Sequence, residues 1–345
     1  MATVEVKKPV GPPGQPDIHY TPDLDNYKSR TKRRTTTEKL DPGLPEGFPS
    51  RLGSDLVWNG TDIADRYDWV YQLSADEVEE IETALKHFKS LNKPLGFINQ
   101  ETFPLPNLHH ALRSISEEIH NTFGFKVLRG LPVATCTRED NIIIYAGVSS
   151  HIAPIRGRQD HQLDGKPADV VLNHIKDMSS IVDASKIGAP AYTTEKQVFH
   201  TDAGDVIALM CLETAAEGGE TTATKPERMI IQYARRTFTG YMGLPRSSNI
   251  PSITEAQAEA LDALHFLAEK HAVFLDFRQG DVQRHLVRLW LRDPENAWET
   301  PAALKQRWDH VYGGVTPETT VFPLEPRIRS SSAGKGSDQS TNGAS

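Results

Sequence analysis

The order of helix-like and strand-like patterns is the feature that most constrains the fold of this chain. Apolar residues recur at helical spacing over 74–91, over 107–122 and after Arg138, whereas most later segments are short apolar runs bounded by Gly, Pro or charged residues. One more helix pattern, 254–271, interrupts those runs. Helices first and short strands afterwards predict helices packed outside an antiparallel barrel or sandwich. The predicted strands are 124–130, 170–175, 206–212, 229–233, 273–277 and 286–291.

Hydropathy, charge and cysteine content exclude several classes of protein. The longest apolar run, Val206 to Leu212, has 7 residues, far fewer than the roughly 20 that span a bilayer, so we expect no membrane partner. The net charge of −8 does not attract a polyanion, which makes nucleic acid an unexpected partner. Two cysteines, Cys136 and Cys211, and a start without an apolar signal sequence predict a reducing, cytoplasmic location. Nothing here indicates an oligomeric state.

Composition divides the chain into three parts. Residues 1–50 are rich in proline and predict an extended arm that can pack on the domain. Residues 51–328 form the predicted domain, and residues 329–345 are mostly small and polar, so we expect this tail to be disordered. A basic run in the arm is balanced by nearby acidic residues and is interpreted as solvated surface rather than a localisation signal. The run consists of Lys28, Arg30, Lys32, Arg33 and Arg34.

The triplet His200-Thr201-Asp202 is the strongest indication of chemistry. It is the one His-x-Asp in the chain and it immediately precedes an apolar strand pattern. A one-residue spacing places both side chains on the same side of an extended segment, which suits one metal ion. An imidazole and a carboxylate are two thirds of the two-His-one-carboxylate set of non-haem Fe(II) enzymes, which needs a second His from elsewhere.

Four motifs in order resemble the taurine dioxygenase (TauD/TfdA-like) family, and most of all the fungal clavaminate synthase-like group. They are the segment 199–205 around the triplet, 217–221 (EGGET), 280–281 (GD) and 284–291 (RHLVRLWL), and the strand pattern 124–130 matches as well. The family consists of Fe(II)- and 2-oxoglutarate-dependent oxygenases. The resemblance implies a mainly β chain with flanking helices, folded as a double-stranded β-helix or jelly roll.

The resemblance also implies the roles of individual residues. His200 and Asp202 correspond to two of the three iron ligands, and the cofactors would be Fe(II) and the cosubstrate 2-oxoglutarate. Thr221 corresponds to the hydroxyl that helps to hold the distal carboxylate of 2-oxoglutarate, and Arg288 to the arginine that pairs with that carboxylate. Arg284 lies four residues earlier and is either an assisting residue or an ordinary surface charge.

The chain departs from the family pattern where the distal histidine is expected. Asp281 is followed at once by Val282, Gln283 and Arg284, so the segment that carries a His-x-Arg in the family is missing, and a second gap follows Thr221. The predicted jelly roll would then lack the core strands that these two segments form in the family. Three histidines are candidate replacements, and each has a more ordinary interpretation. His285 should face away from Arg288, His271 ends a helix, and His265 is expected at the surface or boundary.

Three functions remain open at this point. The first is a dioxygenase that hydroxylates a small organic acid or secondary metabolite and releases succinate and CO2. The second is a catalytically inactive, truncated or mis-spliced homologue with at most weak metal or small-acid binding. The third, a metal-free cupin-like binding module, is disfavoured because His200, Asp202, Thr221 and Arg288 are all present.

Overall fold

Helices and small sheets are mixed along the chain. A computed structural model describes residues 15–329, except residues 40, 42, 45, 47, 184–185, 214–220, 224–232, 242–244, 247–249 and 276–284. The helices are α1 (Leu24–Thr37), α2 (Ala75–Ser90), α3 (Leu108–Asn121), α4 (Arg138–Ile152), α5 (Arg236–Thr239), α6 (Glu255–His271) and α7 (Ala302–Tyr312). The strands are β1 (Val70–Gln72), β2 (Val127–Arg129), β3 (Ile155–Gly157), β4 (Asp160–Leu163), β5 (Lys166–Val170), β6 (Leu172–Lys176), β7 (Val206–Glu213), β8 (Thr221–Ala223), β9 (Val273–Leu275), β10 (His285–Arg292) and β11 (Thr320–Val321).

The helices follow the sequence patterns closely. The four predicted helices are confirmed as α2, α3, α4 and α6. Ser74 caps α2 in a reciprocal pair, since its hydroxyl accepts from the Glu77 amide and the Glu77 carboxylate accepts from the Ser74 amide. Residues 141–151 of α4 are all buried, which is typical of a helix surrounded by other elements. Gly147 permits this, because an added Cβ would lie 2.4 Å from the ring of Phe103.

The largest sheet has four strands, with β10 at its centre. β7 pairs antiparallel along one edge of β10, and β6 and β3 pair antiparallel along the other edge. The strands predicted at 206–212 and 286–291 are therefore confirmed as β7 and β10. The predicted strand 170–175 is divided between β5 and β6, and within the predicted strand 229–233 the structure describes Tyr233 alone.

Smaller sheets complete the described architecture. β11, β5 and β4 form a three-stranded sheet, while β1 with β2 and β8 with β9 form two-stranded sheets. The described residues contain more helix than strand. The structure thus confirms helices combined with sheets, but it does not confirm the mainly β part of the prediction. The double-stranded β-helix is considered below as a proposal.

Side-chain alternation gives β10 two contrasting faces. Val287, Leu289 and Leu291 are 0%, 0% and 1% exposed and pack in one cluster with residues of α2, α3 and α4; we call this the helix-covered face. Arg288, Trp290 and Arg292 point the other way; we call this the charged face. The two faces of β10 therefore differ, since Val287, Leu289 and Leu291 pack among apolar side chains and Arg288 and Arg292 have polar partners.

The N-terminal arm contains a helix where the sequence predicts an extended segment. Asp23 caps α1 by accepting a hydrogen bond from the Asn26 amide, and α1 packs on α6. The interpretation of the basic run as solvated surface is wrong for Arg30, which is 5% exposed. Arg30 Nη1 donates to Asp262 Oδ2 at 2.5 Å, and the Arg30 Nε donates to Glu255 at 2.9 Å. Charge pairing across 232 residues of sequence cannot be read from a local pattern.

Candidate functional site

The His-x-Asp segment is extended and pairs with a neighbouring chain segment. His200 forms an isolated antiparallel bridge with Ala234. The Thr201 amide donates to the Tyr233 carbonyl at 2.8 Å, and the Tyr233 amide donates to the Thr201 hydroxyl at 2.9 Å. The His200 side chain is exposed, and its Nδ1 donates to the Val198 carbonyl at 2.9 Å. That bond fixes the tautomer and leaves Nε2 as the nitrogen able to bind a metal ion.

Asp202 and Arg288 are brought into direct contact by the fold. Arg288 Nη1 lies 2.9 Å from both carboxylate oxygens of Asp202. Arg288 is 6% exposed, while the side chain of Asp202 is 16% exposed. Burial lowers the pKa of Arg288 from its ordinary value and the Asp202 carboxylate opposes that shift. The structure therefore brings together a predicted metal ligand and the predicted anchor of the cosubstrate.

Gln159, which the sequence does not single out, holds the Arg288 side chain in place. The Gln159 side-chain oxygen accepts from Arg288 Nε at 3.0 Å, and its amide nitrogen donates to the backbone carbonyls of Arg288 and Val171 at 2.8 and 2.6 Å. Gln159 is buried, and the guanidinium carbon of Arg288 lies 5.3 Å from the centroid of the Trp290 ring. Contacts on several sides therefore fix the orientation of the Arg288 guanidinium group.

The turn after the triplet is anchored by α7 and β10. Asp205 Oδ1 accepts from Trp308 Nε1 at 3.0 Å, and Asp205 Oδ2 accepts from Arg292 Nη1 at 2.9 Å. The Asp205 amide donates to the Tyr312 hydroxyl, which itself donates to the Leu291 carbonyl. Burial raises the pKa of Asp205, against the opposing effects of Trp308 and Arg292. These contacts fix where β7 starts relative to Asp202.

The N-terminal segment supports the triplet from the other side. The Val198 amide donates to the Tyr20 hydroxyl at 3.3 Å. Arg235, which adjoins the segment paired with the triplet, donates through Nε to the His19 carbonyl at 2.7 Å and through Nη2 to Asp262 Oδ1 at 2.6 Å. Asp262 therefore joins two buried arginines, Arg30 and Arg235, and connects the arm to the triplet.

A third protein ligand for iron is not found near the triplet in the described part of the chain. Among the residues with described positions, no three His, Cys, Asp or Glu side chains form a group that could hold a metal ion. His200 and Asp202 suit a ferrous ion by their chemistry, but they supply only two protein ligands. The fit is therefore partial, and the Asp202 carboxylate is already bound by a guanidinium.

The three candidate replacement histidines lie elsewhere. His285 is 1% exposed, is on the helix-covered face and lies 2.8 Å from His174 between ring nitrogens, so it faces away from Arg288 as predicted. His271 is the last residue of α6, as predicted. His265 is 4% exposed and packs on Phe199, so the prediction of a surface or boundary position is wrong. Its helix face is covered by the triplet segment, a contact distant in sequence.

The structure gives only part of the information on the two residues predicted to assist Arg288, Thr221 and Arg284. The backbone of Thr221 lies in β8 opposite Leu275, and the position of its side chain is not described. Arg284 and the Gly280-Asp281 motif lie outside the described residues. Their roles remain predictions.

The site also contains residues that sequence reasoning missed. Gln159, Trp290 and Arg329 surround Arg288, and Arg30 with Asp262 supports the triplet. A lone Gln or Arg carries no periodic signal, since its role depends on contacts far away in sequence. Trp290 is the exception, because the alternation of side chains along a strand predicts from sequence that residues 288 and 290 lie on the same face.

Comparisons with known proteins agree with the motifs. Residues 91–224, which include His200 and Asp202, match the family described as taurine catabolism dioxygenase TauD, TfdA family. The chain is 28% identical over 348 aligned positions to the taurine hydroxylase-like protein SAT17 of Stachybotrys chartarum, covering 80% of this chain and 89% of that relative. It is also 26% identical over 164 positions to the FR-33289 synthase of Streptomyces rubellomurinus, covering 48% of this chain and 46% of that relative.

The comparisons confirm the resemblance that the motifs predict. Over residues 91–224 the chain is similar to the TauD/TfdA dioxygenase family, and the similarity to a taurine hydroxylase-like protein extends over 80% of the chain. The alignment with the fungal relative is longer than the part of this chain that it covers, so that relative has residues without a counterpart here. In the described part of the chain no helix has the length and apolar character to cross a membrane.

Proposed function

We propose that the protein is an Fe(II)- and 2-oxoglutarate-dependent dioxygenase of jelly-roll fold. It would hydroxylate a small organic acid or secondary metabolite and release succinate and CO2. The observation that carries the proposal is the contact of Asp202 with the buried Arg288, at 2.9 Å, in a TauD-like chain. The two cysteines are free, which fits a reducing, cytoplasmic location.

The residues would divide the work between holding the metal and orienting the acids. His200, through Nε2, and Asp202 would hold the ferrous ion, which supplies the oxidising chemistry together with 2-oxoglutarate. Arg288 would pair with the distal carboxylate of 2-oxoglutarate, assisted by Thr221 and, if it faces the site, Arg284. A planar guanidinium held by Gln159 can make two parallel charge-assisted bonds to a carboxylate, which a lysine cannot.

The contact between Asp202 and Arg288 sets a requirement on this function. Arg288 cannot give the same N–H fully to Asp202 and to a cosubstrate carboxylate. Gln159 accepts from Nε and Asp202 accepts from Nη1, so a cosubstrate carboxylate would bind through other N–H groups of Arg288, such as those of Nη2. Asp202 would then turn its oxygens to the metal.

One observation favours the inactive homologue as a second candidate. The described residues hold no group of three metal-binding side chains, and Asp202 is neutralised by a protein partner instead. The alignment with the fungal relative also contains positions at which that relative has a residue and this chain has a gap. A chain without the distal histidine would bind iron weakly and would retain the Asp202–Arg288 ion pair as a structural contact.

Anaerobic titration with Fe(II) and 2-oxoglutarate distinguishes the two candidates. The dioxygenase should develop the weak visible charge-transfer band of the chelated ferrous ion, and should form succinate once air is admitted. His200→Ala and Asp202→Ala should abolish the band, whereas His87→Ala, which removes an exposed histidine from α2, should leave it intact. No band and no succinate in the wild-type protein would reject the dioxygenase.

The gene itself tests the truncation. A skipped or retained segment between the codons of Gln283 and Arg284 that encodes His-x-Arg would show that this chain is a shortened product. An uninterrupted gene at that point, combined with the charge-transfer band, would show that the short chain is the functional enzyme.

A further inference from the structure

A second arginine lies beside Arg288 without a carboxylate partner among the described residues. The guanidinium carbon of Arg329 is 5.9 Å from the centroid of the Trp290 ring, and that of Arg288 is 5.3 Å from the same centroid. Arg329 Nη1 donates to the Gln159 carbonyl at 3.4 Å, while the Gln159 side chain holds Arg288. The same two residues therefore position both guanidinium groups.

The backbone at Arg329 is anchored to the large sheet. The Arg329 amide donates to the Tyr192 hydroxyl at 3.2 Å, and that hydroxyl donates to Asn173 Oδ1 in β6 at 3.2 Å. Tyr192 is 1% exposed. The hydrogen bond to buried Tyr192 therefore fixes the backbone of Arg329 beside the charged face.

Around Arg288 and Arg329 the described structure has more positive charge and more hydrogen-bond donors than it has carboxylates and acceptors. Asp202 is the one carboxylate that pairs with either arginine in the described residues, and it pairs with Arg288. The Nε of Arg329 and the Nε1 of Trp290 are both buried and have no hydrogen-bond acceptor in the described structure. Leaving such buried donors unsatisfied is unfavourable, because each has lost its hydrogen bonds to water. An anion with two or more oxygen atoms would satisfy the donors and the excess charge together.

We propose that Arg329 and Trp290, next to Arg288, form an anion-binding site for the carboxylate or sulfonate group of a small organic acid. Oxygen atoms of the anion would accept from Arg329 Nε and Trp290 Nε1, and the adjacent Arg288 would contribute charge. The proposal rests on the proposed function only for the role of the acid as substrate or cosubstrate. Burial, and next the charge of Arg329, lower the pKa of Arg236, which agrees with excess positive charge here.

Calorimetric titration of the metal-free, full-length protein tests the site. The probes are 2-oxoglutarate and, separately, propane-1-sulfonate. Arg329→Gln should weaken binding of at least one probe about tenfold or more, because hydrogen bonds between charged groups are stronger than those between neutral groups. Loss for 2-oxoglutarate alone would identify the cosubstrate as the ligand, and loss for the sulfonate alone would identify the substrate. Loss for both would identify a shared acid-binding site.

Arg327→Gln is the matched control. Arg327 lies two residues away on the same segment, but its Nη2 donates to Asp160 Oδ2 at 2.7 Å, so it already has a carboxylate partner. This variant should bind the probes within about threefold of the wild-type protein, and Arg329→Lys should retain part of the affinity. Equal losses in both glutamine variants would mean that the segment only packs, and would overturn the proposal.

Two further results would also overturn it, namely wild-type affinity in Arg329→Gln or no binding of either probe to the wild-type protein at millimolar concentration. Failure of the dioxygenase proposal has a different signature. In that case Fe(II) and 2-oxoglutarate give no visible band, while anion binding still depends on Arg329.

Discussion

The two faces of β10 differ in how they are stabilised, although they alternate along the same eight residues. The helix-covered face is almost fully buried among apolar side chains of α2, α3 and α4. The charged face instead depends on polar partners from distant segments, such as Asp202 and Gln159 for Arg288 and Asp205 for Arg292. The comparison shows that apolar burial holds the first face, whereas the second face is held by hydrogen bonds and ion pairs and is the one to which the proposed function assigns binding.

The largest expected effect is on the helix-covered face. Leu289→Ala should lower the free energy of unfolding by about 2–5 kcal/mol, because Leu289 is fully buried and the cavity cannot collapse between the sheet and the helices. Chemical denaturation measures the change. Leu267→Ala, in which a 55% exposed leucine of α6 is truncated, is the control and should change the free energy by less than about 0.5 kcal/mol. Equal effects of the two variants would contradict the assigned packing.

That apolar face is also the part of the fold that sequence predicts best. The helices α2, α3, α4 and α6 and the strands β7 and β10 follow from hydrophobic periodicity, because burial repeats at fixed spacing. The helix α1 was missed because mostly polar residues conceal it, and it is held by ion pairs between Arg30 and α6.

The charged face was predicted only in part. Family motifs indicate His200, Asp202 and Arg288, and alternation along β10 adds the orientation of His285. Gln159, Arg329 and the contact between Asp202 and Arg288 could not be predicted, since each joins segments separated by many residues and has no local pattern.

The second prediction concerns pH and a histidine on the helix-covered face. Burial, and next the charge of His174, lower the pKa of His285 to about 3. An unfolded histidine has a pKa of about 6.5, so the folded state resists protonation and its stability is fully present above that pH. Stability is then lost as the pH falls from about 6.5 toward 3, by about 2 kcal/mol from this group between pH 7 and pH 5.

Unfolding measured at pH 7 and pH 5 checks this. His285→Gln should show a smaller difference between the two pH values than the wild-type protein, and His87→Gln, at an exposed position, should show the same difference. An unchanged difference in His285→Gln would exclude His285 as the source. The charged or titratable groups near the His285–His174 pair are Lys176, Arg138, Glu213 and Glu325.

A smaller change in stability is expected on the charged face. Arg288→Met should lower the free energy of unfolding by about 1–2 kcal/mol, since it removes the partner of the Asp202 carboxylate and of the Gln159 side-chain oxygen while it conserves apolar bulk. Denaturation of this variant and of Leu289→Ala under the same conditions compares the two faces directly. A larger loss for Arg288→Met than for Leu289→Ala would reverse the assignment of stability to the helix-covered face.

The smallest effect is expected at the support of the triplet. Tyr20→Phe removes the hydroxyl that accepts from the Val198 amide and should cost about 0.5–1 kcal/mol. Hydrogen exchange at Val198 should become faster, because its amide loses its acceptor. Tyr27→Phe in α1 is the control, and its ring packing on Phe266 is conserved. Unchanged exchange at Val198 would mean that Tyr20 does not support this segment.

The charge cluster of Arg30, Asp262 and Arg235 has a practical consequence for how this protein is produced. A recombinant form begun at residue 51, where composition suggests that the domain starts, would strip away Arg30 and the His19 carbonyl. Asp262 and Arg235 would then face solvent beside the stretch that carries His200. In such a shortened protein the backbone beside His200 would be displaced, so a loss of the proposed iron or acid binding would not by itself report on the side chains of the site. Biochemical work on this chain should therefore keep its first fifty residues.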